Sequence, residues 1–176
     1  LLGNHEWSHI SGMAVYKSGI NQKREFERHL KHKFGTGWEH QLSLYIDFFK
    51  ALPLAVRTQN GVFISHAAPA KKISGIRDII QLKETGYGRD NEILFELLWN
   101  RHPEDYGKRN IKDFLAKVGC EVSVVGHTPV NGYAVIGNQI VLSSSFGLGK
   151  KCYMELDLEK DIKDVNDLIV MIRYLD

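Results

Sequence analysis

The sequence predicts a mixed α/β fold, and three observations carry that prediction. Amphipathic helical stretches alternate with short apolar strands. Two strand pairs are joined by turn signals, Asn60-Gly61 and Gly137-Asn138, which mark β-hairpins. Three segments share one grammar, a short apolar stretch and then a metal-competent residue in a tight turn: Gly3-Asn4-His5, Ile64-Ser65-His66 and Val125-Gly126-His127.

Taken in order, Leu1 and Leu2 leading into Gly3 read as the end of a buried strand, and Trp7 to Met13 as the first turns of a helix. Ser18-Gly19-Ile20-Asn21 reads as a break. Residues 21–33 are charged, with only Phe26 and Leu30 apolar, so the spacing predicts an exposed helix with a solvated face. Gly35-Thr36-Gly37 is a turn. Leu42, Tyr45, Ile46 and Phe49 recur at helical spacing over 38–50, and that helix ends before Pro53.

Residues 54–57 and 62–66 pair as a hairpin across Thr58 to Gly61. Ile76 to Ile80 reads as a short helix, Gly86 to Asp90 as a loop and Glu92 to Trp99 as an apolar helix. A polar loop over 100–110 precedes a helix from Ile111 to Val118, which Gly119 ends. Cys120 to Val125 is a buried strand. Residues 133–136 and 139–142 form the second hairpin, and Ser143 to Gly149 a small-residue loop. Lys151 to Leu158 alternates as a further strand. An acidic linker and a last apolar segment, Leu168 to Leu175, complete the pattern.

Asn4, His66 and His127 stand about sixty residues apart. Beyond the strand ends of an α/β sheet lies the functional crevice, where such residues converge. Two imidazoles and an amide oxygen form a mixed N/O set suited to Mn, Fe, Zn or Ni and poor for Ca. His9, His29, His32, His40 and His102 follow no strand and are read as surface or packing residues.

These blocks resemble the calcineurin-like metallophosphoesterases, in particular the phosphoprotein phosphatase (serine/threonine phosphatase) branch in its bacterial form. Gly3-Asn4-His5-Glu6 is similar to their third signature block. Leu52-Pro53-Leu54-Ala55, then Ser65-His66-Ala67-Ala68-Pro69, resembles their Leu-Pro-x-Ala segment and His-Gly-Gly block. Leu97-Leu98-Trp99, Gly126-His127-Thr128-Pro129 and Leu142 to Gly147 resemble three later blocks, in the same order. The resemblance runs from residue 1 to about 158. It implies a sandwich of two mixed β-sheets flanked by helices, with the two hairpins and the closing strand forming the second sheet.

Carried onto this chain, the family pattern makes Asn4, His66 and His127 ligands of the second of two divalent cations (Mn, Fe, Zn or Ni). His5 protonates the leaving alkoxide. Arg101 is the first candidate to hold phosphate and Arg109 the second, with Asn4 also facing it; a guanidinium fork matches phosphate geometry. The implied reaction is in-line attack on phosphorus by a metal-bridging hydroxide. The implied substrates are phosphoserine or phosphothreonine in protein, or small phosphomonoesters. A dinucleoside polyphosphate such as diadenosine tetraphosphate is the alternative. A non-catalytic binding remnant is a further one.

Two Asp-containing blocks that open the family pattern are not in these residues. The chain is therefore expected to be the C-terminal majority of one domain, lacking the first metal's ligands and about 60 residues at about 30 per strand–helix unit. Three neutral ligands should bind metal weakly, and activity of this chain by itself is left open. A sheet edge and apolar helix faces should stand uncovered. Ala67-Ala68, in place of Gly-Gly, is tolerable where no positive φ is needed.

With 176 residues, the chain is long enough for one domain with a core. A net charge of +2 argues for neither nucleic acid nor a membrane surface, and no apolar run is long enough to span a bilayer. Two cysteines make no disulfide framework, which favours a reducing, cytoplasmic setting.

Overall fold

The sheet comes first, because it sets the site. In a computed structural model describing residues 1–85 and 87–175, five strands form one mixed sheet: β3 (Ala55–Arg57), β4 (Val62–Ser65), β5 (Val122–Val125), β6 (Tyr133–Ile136) and β7 (Gln139–Leu142). The spatial order is β3-β4-β5-β7-β6. The central three strands run parallel, while β3 and β6 return antiparallel through the two predicted hairpins. Gly137, at φ 56°, takes the tight position in the second hairpin. The register of β4 on β5 sets Ser65 opposite Val125, so the chain leaves both strands side by side.

Alternate residues serve two cores, as a pleated strand requires. Phe63, Val125 and Val141 face a helical layer with Trp7, Leu94, Leu98, Ile111 and Phe114. Val62, Val122, Val124 and Ile140 face a second cluster with Cys152, Leu168 and Ile172.

Among the described residues, seven α-helices flank the sheet: α1 (Asn4–Ser11), α2 (Gln22–Phe34), α3 (Trp38–Ala51), α4 (Ile76–Thr85), α5 (Glu92–Trp99), α6 (Lys108–Val118) and α7 (Val165–Ile169). Two small ribbons complete the chain. β1 (Tyr16–Lys17) pairs with β2 (Ile20–Asn21), and β8 (Lys151–Met154) pairs with β9 (Ile172–Leu175). Among the described residues, no helix is long and apolar enough to cross a membrane.

Several expectations are corrected. Leu1-Leu2 is not a strand; Leu2 is buried and makes a single backbone bond to the Pro53 carbonyl rather than a ladder. The first helix starts at Asn4, not Trp7, because Glu6 accepts the Gly3 N–H and caps the turn. Left-handed Gly12 stops it at Ser11. The break at Ser18 is a hairpin. α4 is longer than predicted, and α6 begins earlier because Asn110 accepts the Gly107 N–H. β8 ends at Met154 and pairs with β9 rather than joining the hairpins. The last apolar segment divides into α7 and β9. Gly86, at the head of a predicted loop, lies outside the described residues.

β3 is an edge strand with Val56 exposed, and α3 has no buried residue while Leu44 and Phe48 face outward. Ala67 and Ala68 are buried, and neither is among the residues with positive φ, so their methyl groups are accommodated.

Candidate metal centre

The turns after β4 and β5 are tied together by one backbone bond, Gly126 N–H to the His66 carbonyl. Ala67 N–H reaches the Leu97 carbonyl at 2.8 Å and fixes α5 beside them. His127 is held at φ 60°, a left-handed conformation uncommon outside glycine that tends to occur at functional sites. From the other side, α1 presents Asn4 in its first turn, 3% exposed.

Three ligand-type atoms therefore meet. His66 Nε2 lies 3.0 Å from Asn4 Oδ1 and 3.0 Å from His127 Nδ1. Gly3 makes the meeting possible, since a Cβ there would lie 3.1 Å from the His66 ring and 2.6 Å from Glu6 Oε2.

Arg101 Nε donates to His127 Nε2 at 3.0 Å. That nitrogen accepts, so a neutral His127 carries its proton on Nδ1. If His66 Nε2 takes that proton's hydrogen bond, its lone pair confronts Asn4 Oδ1. If His66 Nε2 is itself protonated, it meets the His127 proton. His66 Nε2 thus meets two ligand-type atoms at 3.0 Å at once, a crowding that a cation between the three atoms would relieve. Donors about 2.0–2.1 Å from one ion stand about 3 Å apart, so the set fits a divalent cation of the N/O-preferring kind.

Electrostatics keep both rings neutral. Burial pushes the His66 pKa down to about 4. Burial, then the neighbouring His66 and Arg101, pushes His127 down to about 4 as well. Among the described residues, no three His, Cys, Asp or Glu side chains gather as a metal cluster; here the third donor is an amide.

The three donors line a cavity of about 680 Å³ that also reaches His5, Trp99, Arg101, Thr128 and the loop from Ser143 to Gly147. His5 is exposed to this cleft. Arg101 is steered by its neighbours: Asn100 Nδ2 donates to the Pro69 carbonyl at 2.7 Å, and Asp105 accepts the Arg101 N–H at 2.8 Å. Tyr106 locks the far end of the loop by donating to buried Gln139 at 2.6 Å.

The structure does not bring Arg109 to the cleft. It sits in the first turn of α6 with its side chain 93% exposed, 3.8 Å from Asp113. Tyr16 and Lys17, which line the cavity, are not among the sequence candidates. The signal for them is Ser18-Gly19, a two-residue turn pair that was readable as a hairpin.

A model of the calcineurin-like phosphoesterases matches residues 1–131. Among solved structures, the chain is similar to a protein serine/threonine phosphatase from Saccharomyces cerevisiae with similarity to human phosphatase PP5. The identity is 16%, over 99% of this chain and 58% of that one, with a TM-score of 0.68. It is also similar to a cold-active protein tyrosine phosphatase, at 14% identity over 85% of this chain and 49% of that one, with a TM-score of 0.57. Likeness at these identities shows the fold; the chain spans 58% and 49% of those structures. The sheet, the three converging donors and a family match over most of the length agree: this chain belongs to the calcineurin-like phosphoesterase family.

Proposed function

We propose that the protein containing this chain is a metal-dependent phosphatase hydrolysing phosphoserine, phosphothreonine or other phosphomonoesters. One observation carries the reading: the 3.0 Å convergence of Asn4, His66 and His127 beside Arg101 on one cleft. Asn4, His66 and His127 would hold one divalent cation. Bound cations, Mn, Fe, Zn or Ni, would supply Lewis-acid charge to phosphoryl oxygens and lower the pKa of water. Arg101 would hold the phosphate through its guanidinium, and His5 would deliver a proton to the leaving alkoxide. A reducing, cytoplasmic setting accords with Cys120 and Cys152, both buried and unpaired.

A second reading is dinucleoside polyphosphate hydrolysis, since a cleft of about 680 Å³ has room for more than one phosphate. The test is to express the complete coding sequence, strip and reload it with each metal, and assay a phosphopeptide and diadenosine tetraphosphate. Hydrolysis of the peptide supports the first reading, and preference for the dinucleotide the second. A folded protein that cleaves neither with any metal would overturn both.

A further inference from the structure

The chain carries a net charge of +2, and that charge is unevenly spread. From Arg28 to Trp38, eleven residues hold Arg28, Lys31 and Lys33, with His29 and His32 among them, and no Asp or Glu. This stretch alone carries +3, so the rest of the chain sums to −1.

The helix α2 folds so that these charges stand outward. Leu30 is buried, and Phe26 packs on His9 and Tyr45. Lys23 pairs with Glu27 at 2.9 Å on the flank of that inner face. Arg28, His29, Lys31, His32 and Lys33 are all exposed. A helix C-terminus favours cations, but its dipole amounts to about half a charge, less than the three placed there.

Elsewhere exposed cations stand beside acids: Lys50 with Asp47, Lys72 with Glu92 and Arg109 with Asp113. Here Arg28 has Glu25, while the two lysines lie over aromatic rings. Lys31 Nζ is 4.2 Å from the Trp38 ring centre, and Lys33 Nζ is 5.4 Å from that of Phe34. A ring face attracts an ammonium without neutralising it, so the charge stays available to an anion. It also steadies two flexible side chains, which lowers the ordering cost of binding.

We propose that Arg28, Lys31 and Lys33, at the C-terminal end of α2, form a docking surface for an acidic, extended segment of a partner protein. The inference does not depend on the phosphoryl reading. Charge complementarity names the anion, and the surroundings name its class. The helix rises only about 9 Å from Arg28 to Lys33, room for a few carboxylates and short for a tracked nucleic-acid backbone. Trp38 is half-buried with Lys31 over its ring, so it is no platform for a stacked base. Among the described residues, no large apolar side chain between Ile20 and Leu44 is exposed, so the helix lacks the apolar face that an interfacial membrane helix buries. α2 starts at the ribbon that borders the cleft. Its basic end lies about 10–18 Å further along the axis, so a segment docked there leaves the cleft open.

The test is fluorescence anisotropy on the complete protein at low salt, where exposed charges are least screened. The probe is a labelled, unphosphorylated peptide with a run of Glu, and its Gln analogue is the control. The Glu peptide should bind and the Gln analogue should not. Lys31→Glu with Lys33→Glu should weaken binding about tenfold, the scale of two exposed contacts turned repulsive. Lys108→Glu with Lys112→Glu on α6 makes the same change in net charge and should leave binding nearly unchanged. All four side chains are exposed, so both variants should fold, which circular dichroism checks. No binding of the Glu peptide by the wild type overturns the proposal, and so does equal weakening in the two variants. Tighter binding of oligothymidylate or of phosphatidylserine vesicles, lost in Lys31→Glu with Lys33→Glu, overturns the peptide and assigns the surface to that anion.

Discussion

Arg101 Nε donates to His127 Nε2 at 3.0 Å, so this one contact decides which nitrogen of His127 is free to face Asn4 and His66. A cation held at Nδ1 would need that nitrogen bare, which would put the neutral ring's proton on Nε2. Two donors would then face each other, and Arg101 would have to turn away. Its guanidinium is the group proposed above to hold phosphate.

Arg101→Ala should therefore bind metal more tightly, by up to about tenfold for the hydrogen bond no longer broken, while losing phosphate affinity. Titration of Mn²⁺ and then of phosphate checks both. A parallel loss of both affinities would show that the arginine does not compete.

Gly3→Ala should destabilise the fold by about 1–3 kcal/mol, the usual cost of overpacking. The added Cβ would lie 2.6 Å from Glu6 Oε2 and 3.1 Å from two His66 ring atoms. The displaced ring should also shrink the rise in melting temperature that Mn²⁺ gives, since only metal bound to the native state stabilises. Thermal unfolding with and without Mn²⁺ measures both effects.

Stability without metal should fall with acid over a defined window. His66 and His127 resist protonation down to about 4 when folded, against about 6.5 for a free imidazole. Between those values the unfolded chain binds more protons, so stability rises with pH. It is fully present above about 6.5 and lost progressively as pH falls through about 4. Urea midpoints across this range should drop in the wild type and flatten in His66→Gln.

Tyr106→Phe should cost about 1–3 kcal/mol, because it strands the Gln139 side-chain oxygen in a dry site. The hydroxyl donates to it at 2.6 Å, and Gln139 is fully buried. The 100–107 loop should loosen with it, weakening phosphate binding through Arg101. Hydrogen exchange over that loop reads the change.

His5→Ala in the complete protein should slow alkyl phosphates by about 10²–10⁴-fold and nitrophenyl phosphate much less, since nitrophenolate leaves without a proton. Equal losses on both substrates would remove His5 from the general-acid role.

The parts of this fold that are legible in the sequence are those where local chemistry dictates the backbone. Asn60-Gly61 and Gly137-Asn138 turn the chain whatever surrounds them, and the α5 helix follows from its apolar run between Asn91 and Asn100. The start of α1 is harder, because Asn4 and His5 look like turn residues until the Glu6 carboxylate is seen capping Gly3. β9 hides because an eight-residue apolar segment is too short for its period to separate helix from strand. At the site, strand-end residues are legible because a sheet brings its ends together. Arg101 and Arg109 are not separable by pattern; the Gly107 cap turns the second outward, a tertiary fact. Tyr16 and Lys17 are harder to place: Ser18-Gly19 marks their turn, but no local pattern says that this ribbon borders the cleft.

The pairing of Ser65 with Val125 makes the sheet a ruler for the chemistry. One residue inserted into β5 would carry His127 about 3.3 Å along the strand and onto the opposite face. Insertions in the loops between these strands leave the measurement intact. Lengths can therefore drift widely across the surface of this protein, while the few residues inside β4 and β5 admit no change in number.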